Sequence, residues 1–249
     1  MAAEACRMDS QPFDMRLNET AMAQDVREAA LSVYAQAFGE EPDLELLVRR
    51  GLLDGKSGRL TNAGVILLAR NPGEHIARAG VSVEVRADAQ RAVLAKRGWG
   101  ADFVFDEPLV TMLPVVESHL DELLRPQGDD GYPRYAYREG LVNAVAHRDY
   151  EVSGDYTTLS ILEGRIEISH AGGPANGLPP ESMHETRCPR NPVVARVLSE
   201  LGWMRNLGAG IRGIHGSMGG AGAHYSVFRE LGSDHTKLTL IQQRERGGA

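Results

Sequence analysis

At 249 residues, 42% hydrophobic and 24% charged, the chain is long enough for one large domain or two modest ones with a sizeable core. A formal net charge of −7 gives no whole-chain attraction to phosphate polymers or anionic membranes, and no run of Lys and Arg stands out, so nucleic acid is not the expected partner. Cys6 and Cys188 lie outside any CxxC spacing, which argues against a disulfide framework or a zinc site, and no segment reads as a signal peptide or a membrane span; the expected location is the cytoplasm.

In chain order, residues 19–39 (ETAMAQDVREAALSVYAQAFG) place apolar residues at Ala23, Val26, Ala30, Val33 and Ala37 and end in Gly39, which predicts a helix with a glycine C-cap. Residues 43–53 predict a shorter helix, and 59–72 a third that starts at Thr61 or Asn62 as N-cap and stops before Pro72. Helix, turn, helix invites a DNA-reading role. The run Val65, Ile66, Leu67, Leu68 is apolar on too many sides for a solvent-facing recognition helix, which argues against it. Residues 79–88 alternate apolar and polar and predict a strand, and 107–126 return to helical period with Pro114 as a bend or a first turn. QGDDGYP (127–133) is the best boundary in the chain. Residues 1–126 are expected to form a mainly helical unit with at least one strand, and 131–245 a second unit.

The second unit opens with a helix over 135–148, followed by a hairpin of strands 156–162 and 164–170 turning at Glu163-Gly164. Residues 171–192 are rich in Pro and Gly and read as a long functional loop. A helix starts at Pro192, a Gly-rich turn within 207–222 leads into a short helix, and 235–242 gives a closing strand.

The helix REGLVNAVAHRDY (138–150) carries Glu139, Asn143 and His147 four apart, in one sector of roughly 80°, with Leu141, Val142 and Val145 on the other side. On an isolated helix that is a solvated face. Ala136, Gly140 and Ala146 lie in or beside the stripe, where small residues let something approach closely. An Asn oxygen can bind a Mg²⁺ ion that also bridges phosphates, and a carboxylate one turn away can take the proton of an attacking water. Gly172-Gly173 lets backbone approach a flat ligand, and Gly208-Ala209-Gly210 opening a helix can present N–H groups to a polyphosphate. Each signal is weak alone; together they describe a nucleotide pocket.

That order, ExxxN on a helix, a hairpin ending in Gly-Gly, a Pro-rich loop, then GxGI, resembles the GHKL (Bergerat-fold) ATPase superfamily. YREGLVNAVAHRDY, RIEISHAGGPANGLPP, CPRNPVVARVLSELGWM and GAGIRGI look like the ATP-binding module of a branch of bacterial transcriptional-regulator proteins of RecG-like or Schlafen-AlbA type, and LTNAGVILLARNP also has a counterpart there. The resemblance spans residues 43–242. It implies an α+β fold in which a C-terminal GHKL-type α/β sandwich follows the mainly helical N-terminal unit, with ATP and Mg²⁺ between sheet and helices. The implied roles are Glu139 as general base, Asn143 as Mg²⁺ ligand, Gly172 and Gly173 as the floor under adenine, and Gly208 and Gly210 as the triphosphate turn. Arg190 and Asn191 would reach phosphate; the alternative is a solvated loop in which Asn191 caps the helix begun by Pro192. His147 would line the pocket, or bond a carbonyl as a buried histidine.

Two departures stand out. His170 and Ala171 occupy the place where the superfamily has an acid, and this branch often Asn, to accept a hydrogen bond from the adenine amino group; a neutral imidazole nitrogen can accept such a bond. Family members also carry an N-terminal DNA-binding domain of about a hundred residues, the size of one domain, where this chain has residues 1–42. With an acidic balance, DNA-directed regulation is not supported. The implied function is an ATP-driven switch in which a lid over residues 174–206 closes and is read by a protein partner or a second copy. The alternative is a stand-alone enzyme that moves a phosphoryl group from ATP to a small molecule such as a carboxylate. A substrate pocket between residues 1–125 and the ATP module favours the enzyme, an exposed apolar patch the switch. Glu139 and Asn143 argue against a non-binding scaffold.

Overall fold

The computed structural model describes residues 11–124, 132–173, 189–204, 210–219, 222–230 and 233–241. The fold is α+β, built on a six-stranded sheet in the order β4-β3-β5-β6-β8-β7. These strands are β3 (Val81–Val85), β4 (Asp102–Phe105), β5 (Thr157–Leu162), β6 (Arg165–Ala171), β7 (Ala223–Glu230) and β8 (Ser233–Ile241). β3 and β5 run parallel and every other neighbouring pair is antiparallel. The strand alternation sorts the two faces. Val83, Leu159, Ile168 and Leu238 stand in cross-strand register and are buried, as are Val85, Ile161, Ile166 and Leu240 in a neighbouring row. The opposite face carries Ser82, Glu84, Ser160, Glu167 and Lys237, with Lys237 paired to Glu167 at 2.9 Å. One face is therefore covered and the other is wet.

The sheet takes β3 and β4 from before residues 127–133 and the remaining four strands from after them, so it is not confined to the C-terminal part; residues 127–131 lie outside the described residues. The hairpin β5–β6 turns at Glu163-Gly164 as read from sequence, with Gly164 at φ +71°. The remaining helices are α1 (Glu28–Gln36), α2 (Leu44–Arg49), α3 (Asn62–Leu68), α4 (Asp88–Lys96), α5 (Leu109–Leu124), α6 (Arg134–His147), α7 (Pro192–Glu200) and α8 (Gly210–Ser217). Thr61 is the N-cap of α3, its hydroxyl accepting from the Gly64 amide at 3.1 Å, and α3 is buried along its whole length. α5 continues through Pro114, which sits inside the helix rather than at its first turn.

The helix expected over 19–39 begins as strand, and only its middle is helical. Leu17–Met22 forms β1, paired antiparallel with β2 (Arg59–Thr61), and only Glu28–Gln36 is helical. The Asn18 side-chain oxygen accepts from the amides of Thr20 and Ala21, and the Asp25 carboxylate from the Met22 amide at 2.7 Å. Such local side-chain bonds compete with helical ones, and pairing to β2 decides the outcome. β4, β7 and α4 had no counterpart in the sequence reading.

Candidate functional site

α6 lies against β5, β6 and β8 on the covered face. A β-carbon on Gly140 would come 2.7 Å from Leu238 Cδ2 and 2.9 Å from Ile168 Cδ1, so the sheet itself is what approaches the small residues of α6. Ala136 and Ala146 are fully buried as well. Gly140 thus serves helix-to-sheet packing, and with all three positions covered a ligand needs to approach elsewhere along the stripe.

The stripe is not a solvated face. Glu139 is 2% exposed, and Asn143 and His147 are half-buried. α8 packs beside them, and glycines make the fit. A β-carbon on Gly213 would overlap the Tyr135 ring, and one on Gly210 would overlap a Glu139 carboxylate oxygen and lie 3.1 Å from Asn143 Nδ2. The first residue of α8 is thus set against the carboxylate and carboxamide one turn apart on α6. Gly208 lies outside the described residues. Asn143 Nδ2 is buried with no hydrogen-bond partner among the described residues. A buried amide is normally bonded. Its uncommitted state suits a group that completes its bonding with a ligand, and the amide can turn to present oxygen instead of nitrogen. Among the described residues no cluster of three or more His, Cys, Asp or Glu could hold a metal ion. A divalent cation here would therefore depend on Asn143 and the oxygens of a bound phosphate.

One turn further along α6, burial and the nearby Arg190 charge hold His147 down to about 4. His170, 6% exposed on β6, is held down to about 3, first by burial and then by the charges of His147, Arg190 and Arg148. Its Nδ1 lies 2.9 Å from the Ala171 carbonyl oxygen. A carbonyl only accepts, so Nδ1 carries the proton and Nε2 is left as an acceptor on the helix side of the sheet.

Gly172 and Gly173 follow directly. Gly172 is at φ +96°, donates its amide to the Asp234 carbonyl at 2.7 Å and accepts from the Thr236 hydroxyl at 2.8 Å. A β-carbon there would meet Asp149 Cβ at 3.0 Å and Arg190 Nε at 3.2 Å, so glycine is required for space as well as for backbone angle. Arg190 binds the Asp149 carboxylate and the Gly173 carbonyl, both at 3.2 Å. Asn191 is fully buried and does not cap α7. Its Nδ2 donates to the carbonyls of Ala146 at 3.1 Å and Arg148 at 2.8 Å, tying α7 to the end of α6, so neither a solvated loop nor an Asn191 cap describes it. Arg148 is a structural arginine, fully buried and donating to the carbonyls of Arg78 and Asp155. Asp149 and Thr236 are contributors that the sequence reading missed or left without a role.

Residues 154–240 match a family model described as "Putative ATP-dependent DNA helicase recG C-terminal". The match begins after α6, so it spans β5 to β8 with α7 and α8 and leaves Glu139 and Asn143 outside. Among curated proteins no match was found. Among solved structures, the DIP2311 protein from Corynebacterium diphtheriae is similar in fold, with a TM-score of 0.71 and 23% identity; the likeness covers 94% of this chain and 41% of that one. The chain thus spans less than half of that protein's length. Together these findings support an ATPase-like fold. Among the described residues no helix is long and apolar enough to cross a membrane.

Proposed function

We propose that the protein is a GHKL-type module that binds Mg·ATP between α6 and the sheet and acts as a nucleotide-dependent switch, read by a protein partner or a second copy. The observation that carries this reading is the uncommitted Asn143 amide beside Glu139, both pressed against Gly210 at the start of α8. Mg²⁺ held by Asn143 and phosphate oxygens would draw charge from the phosphates. Glu139 takes the proton of an incoming water, the first amides of α8 face the phosphates, and the Gly172-Gly173 backbone underlies the base. His170 Nε2 accepts from an amino group on that base. A thermal melt tests this, since a ligand at about 100 times its Kd stabilises the native state by about 2.7 kcal/mol. Mg·ATP should raise the melting temperature and Asn143→Ala should lose the rise; an unchanged rise in Asn143→Ala would refute the site. Glu139→Ala should keep Mg·ATP binding and slow its hydrolysis.

A specific observation favours a second reading, the small-molecule phosphoryl-transfer enzyme. A cavity of about 500 Å³ lies where residues 13–20, 62 and 75–77 meet Tyr150 and Glu151, with Arg16, Asn18, Thr20 and His75 in its wall. Its size suits a small ligand. Its lining includes Tyr150 and Glu151, which follow Asp149, the partner of Arg190, in the chain. ATP turnover that depends on an added small carboxylate would establish the enzyme, and turnover indifferent to such additions would leave the switch.

A further inference from the structure

The N-terminus of α7 presents a mismatch between position and task. Asn191 stands at the N-cap, the place where an Asn side chain ordinarily accepts from the first free amides of a helix. Its side chain points the other way, donating to the carbonyls of Ala146 and Arg148 at the end of α6. The amides of α7 are satisfied from 180 residues away. Asp14, in the 3-10 turn Phe13–Met15, accepts from the Val193 amide at 2.7 Å and the Val194 amide at 3.0 Å through one oxygen, Oδ2. Asp14 is fully buried, and its other oxygen, Oδ1, has no hydrogen-bond partner among the described residues. A carboxylate is costly to bury, and here it sits at the positive end of a helix dipole, where it is best compensated.

The consequence concerns the rim of the site. Because Asp14 caps α7, Asn191 is free to hold α6, and the preceding Arg190 reaches both Asp149 and the Gly173 carbonyl. The end of α6, the Gly172-Gly173 turn and the start of α7 are thereby locked into one frame. Phe13, next to Asp14, stacks on Tyr150 at 6.4 Å between ring centres, so the turn is seated against the residue that follows Asp149.

We propose that Asp14 is a positioning residue of the nucleotide site, capping α7 in place of Asn191 so that Arg190 and Asn191 are held against the glycine turn and the end of α6. This inference rests on the nucleotide reading above. The experiment measures Mg·ATP affinity by calorimetry for the wild type, Asp14→Ala and Asp14→Asn, at a temperature well below every melting point. An Asn oxygen can accept the same two amides, whereas Ala cannot. The expected result is at least a fivefold loss of affinity in Asp14→Ala and affinity within twofold of wild type in Asp14→Asn. A purely structural role would lower the melting temperature of Asp14→Ala and leave its affinity unchanged, which would overturn the proposal. Equal weakening in both variants would overturn it too. Should Asp14→Ala not fold, Asp14→Ser, with a shorter acceptor, takes its place with the same expected order. Wild type that does not bind Mg·ATP would instead bring down the nucleotide reading, a separate result from wild type and Asp14→Ala binding alike.

Discussion

His170 makes a quantitative prediction about acid. It is 6% exposed and held down to about 3 by burial and three neighbouring cations or imidazoles, while in the unfolded chain its imidazole returns to the ordinary value. A histidine whose folded value is depressed binds its proton in the unfolded state first, so folding stability falls as pH drops below the unfolded value of about 6.5. Taking the chain from pH 7 to about 4.5 costs roughly two pH units of this difference, or about 2.5 kcal/mol. The figure is set by the unfolded value and the chosen pH, and hardly changes if the folded value lies a unit higher. Asp14 works in the opposite direction, because burial raises it to about 6 and its contribution improves as pH falls through that value towards the ordinary carboxylate range. It returns about 2 kcal/mol over the same interval. His170→Asn removes the first contribution and leaves the second. Urea unfolding at pH 7 and 4.5 should therefore show the variant losing about 2.5 kcal/mol less than the wild type. Parallel losses in the two proteins would refute the placement of a neutral, buried imidazole at this point.

Two further substitutions probe the frame around the stripe. Gly210→Ala places a methyl group on the Glu139 carboxylate; the overlap costs about 1–3 kcal/mol, offset by at most about 1 kcal/mol of helix propensity, and should abolish the Mg·ATP-dependent rise in melting temperature. A retained rise would mean that α8 does not close on Glu139 when nucleotide is present. Asn191→Ala leaves the Arg148 carbonyl without its side-chain donor and the Ala146 carbonyl with only the backbone amide of residue 191, and denaturant unfolding should show a loss of about 1–3 kcal/mol. A change under 0.5 kcal/mol, about the scatter of neutral surface substitutions, would mean that water replaces the amide there.

Legibility in the sequence followed how local each interaction is. The hairpin at Glu163-Gly164 and the cap at Thr61 were readable because the residues that cause them lie within a few positions of their effect. The helix of residues 134–147 was readable for the same reason, through its 3.6 period. β1 was hidden because Ala21 and Ala23 favour helix locally, and only pairing with β2 some forty residues on turns Leu17–Met22 into a strand. At the candidate site, spacing singled out Glu139, Asn143, Gly172 and Gly210, while Asn191 was left between a phosphate contact and an N-cap, because nothing nearby in sequence announces Asp14 as the cap of α7. A carboxylate 180 residues distant carries no local signal.

The buried stripe has a consequence for any functional test of this protein. Had Glu139, Asn143 and His147 faced water, their substitution would read out function alone. Glu139 is instead buried and Asn143 and His147 half-buried, on a helix whose Gly140 touches Ile168 and Leu238 and whose far end is held by Asn191. A loss of activity in a stripe variant can therefore arise from a loosened α6 as readily as from a missing chemical group. The two causes separate when affinity and stability are measured on the same variant. Asn143 is the position of choice because its side-chain nitrogen bonds to no described residue, so Asn143→Ala removes the group proposed to meet the ligand at little structural cost. Glu139, packed against Gly210, requires the isosteric Glu139→Gln before any loss is assigned to its charge.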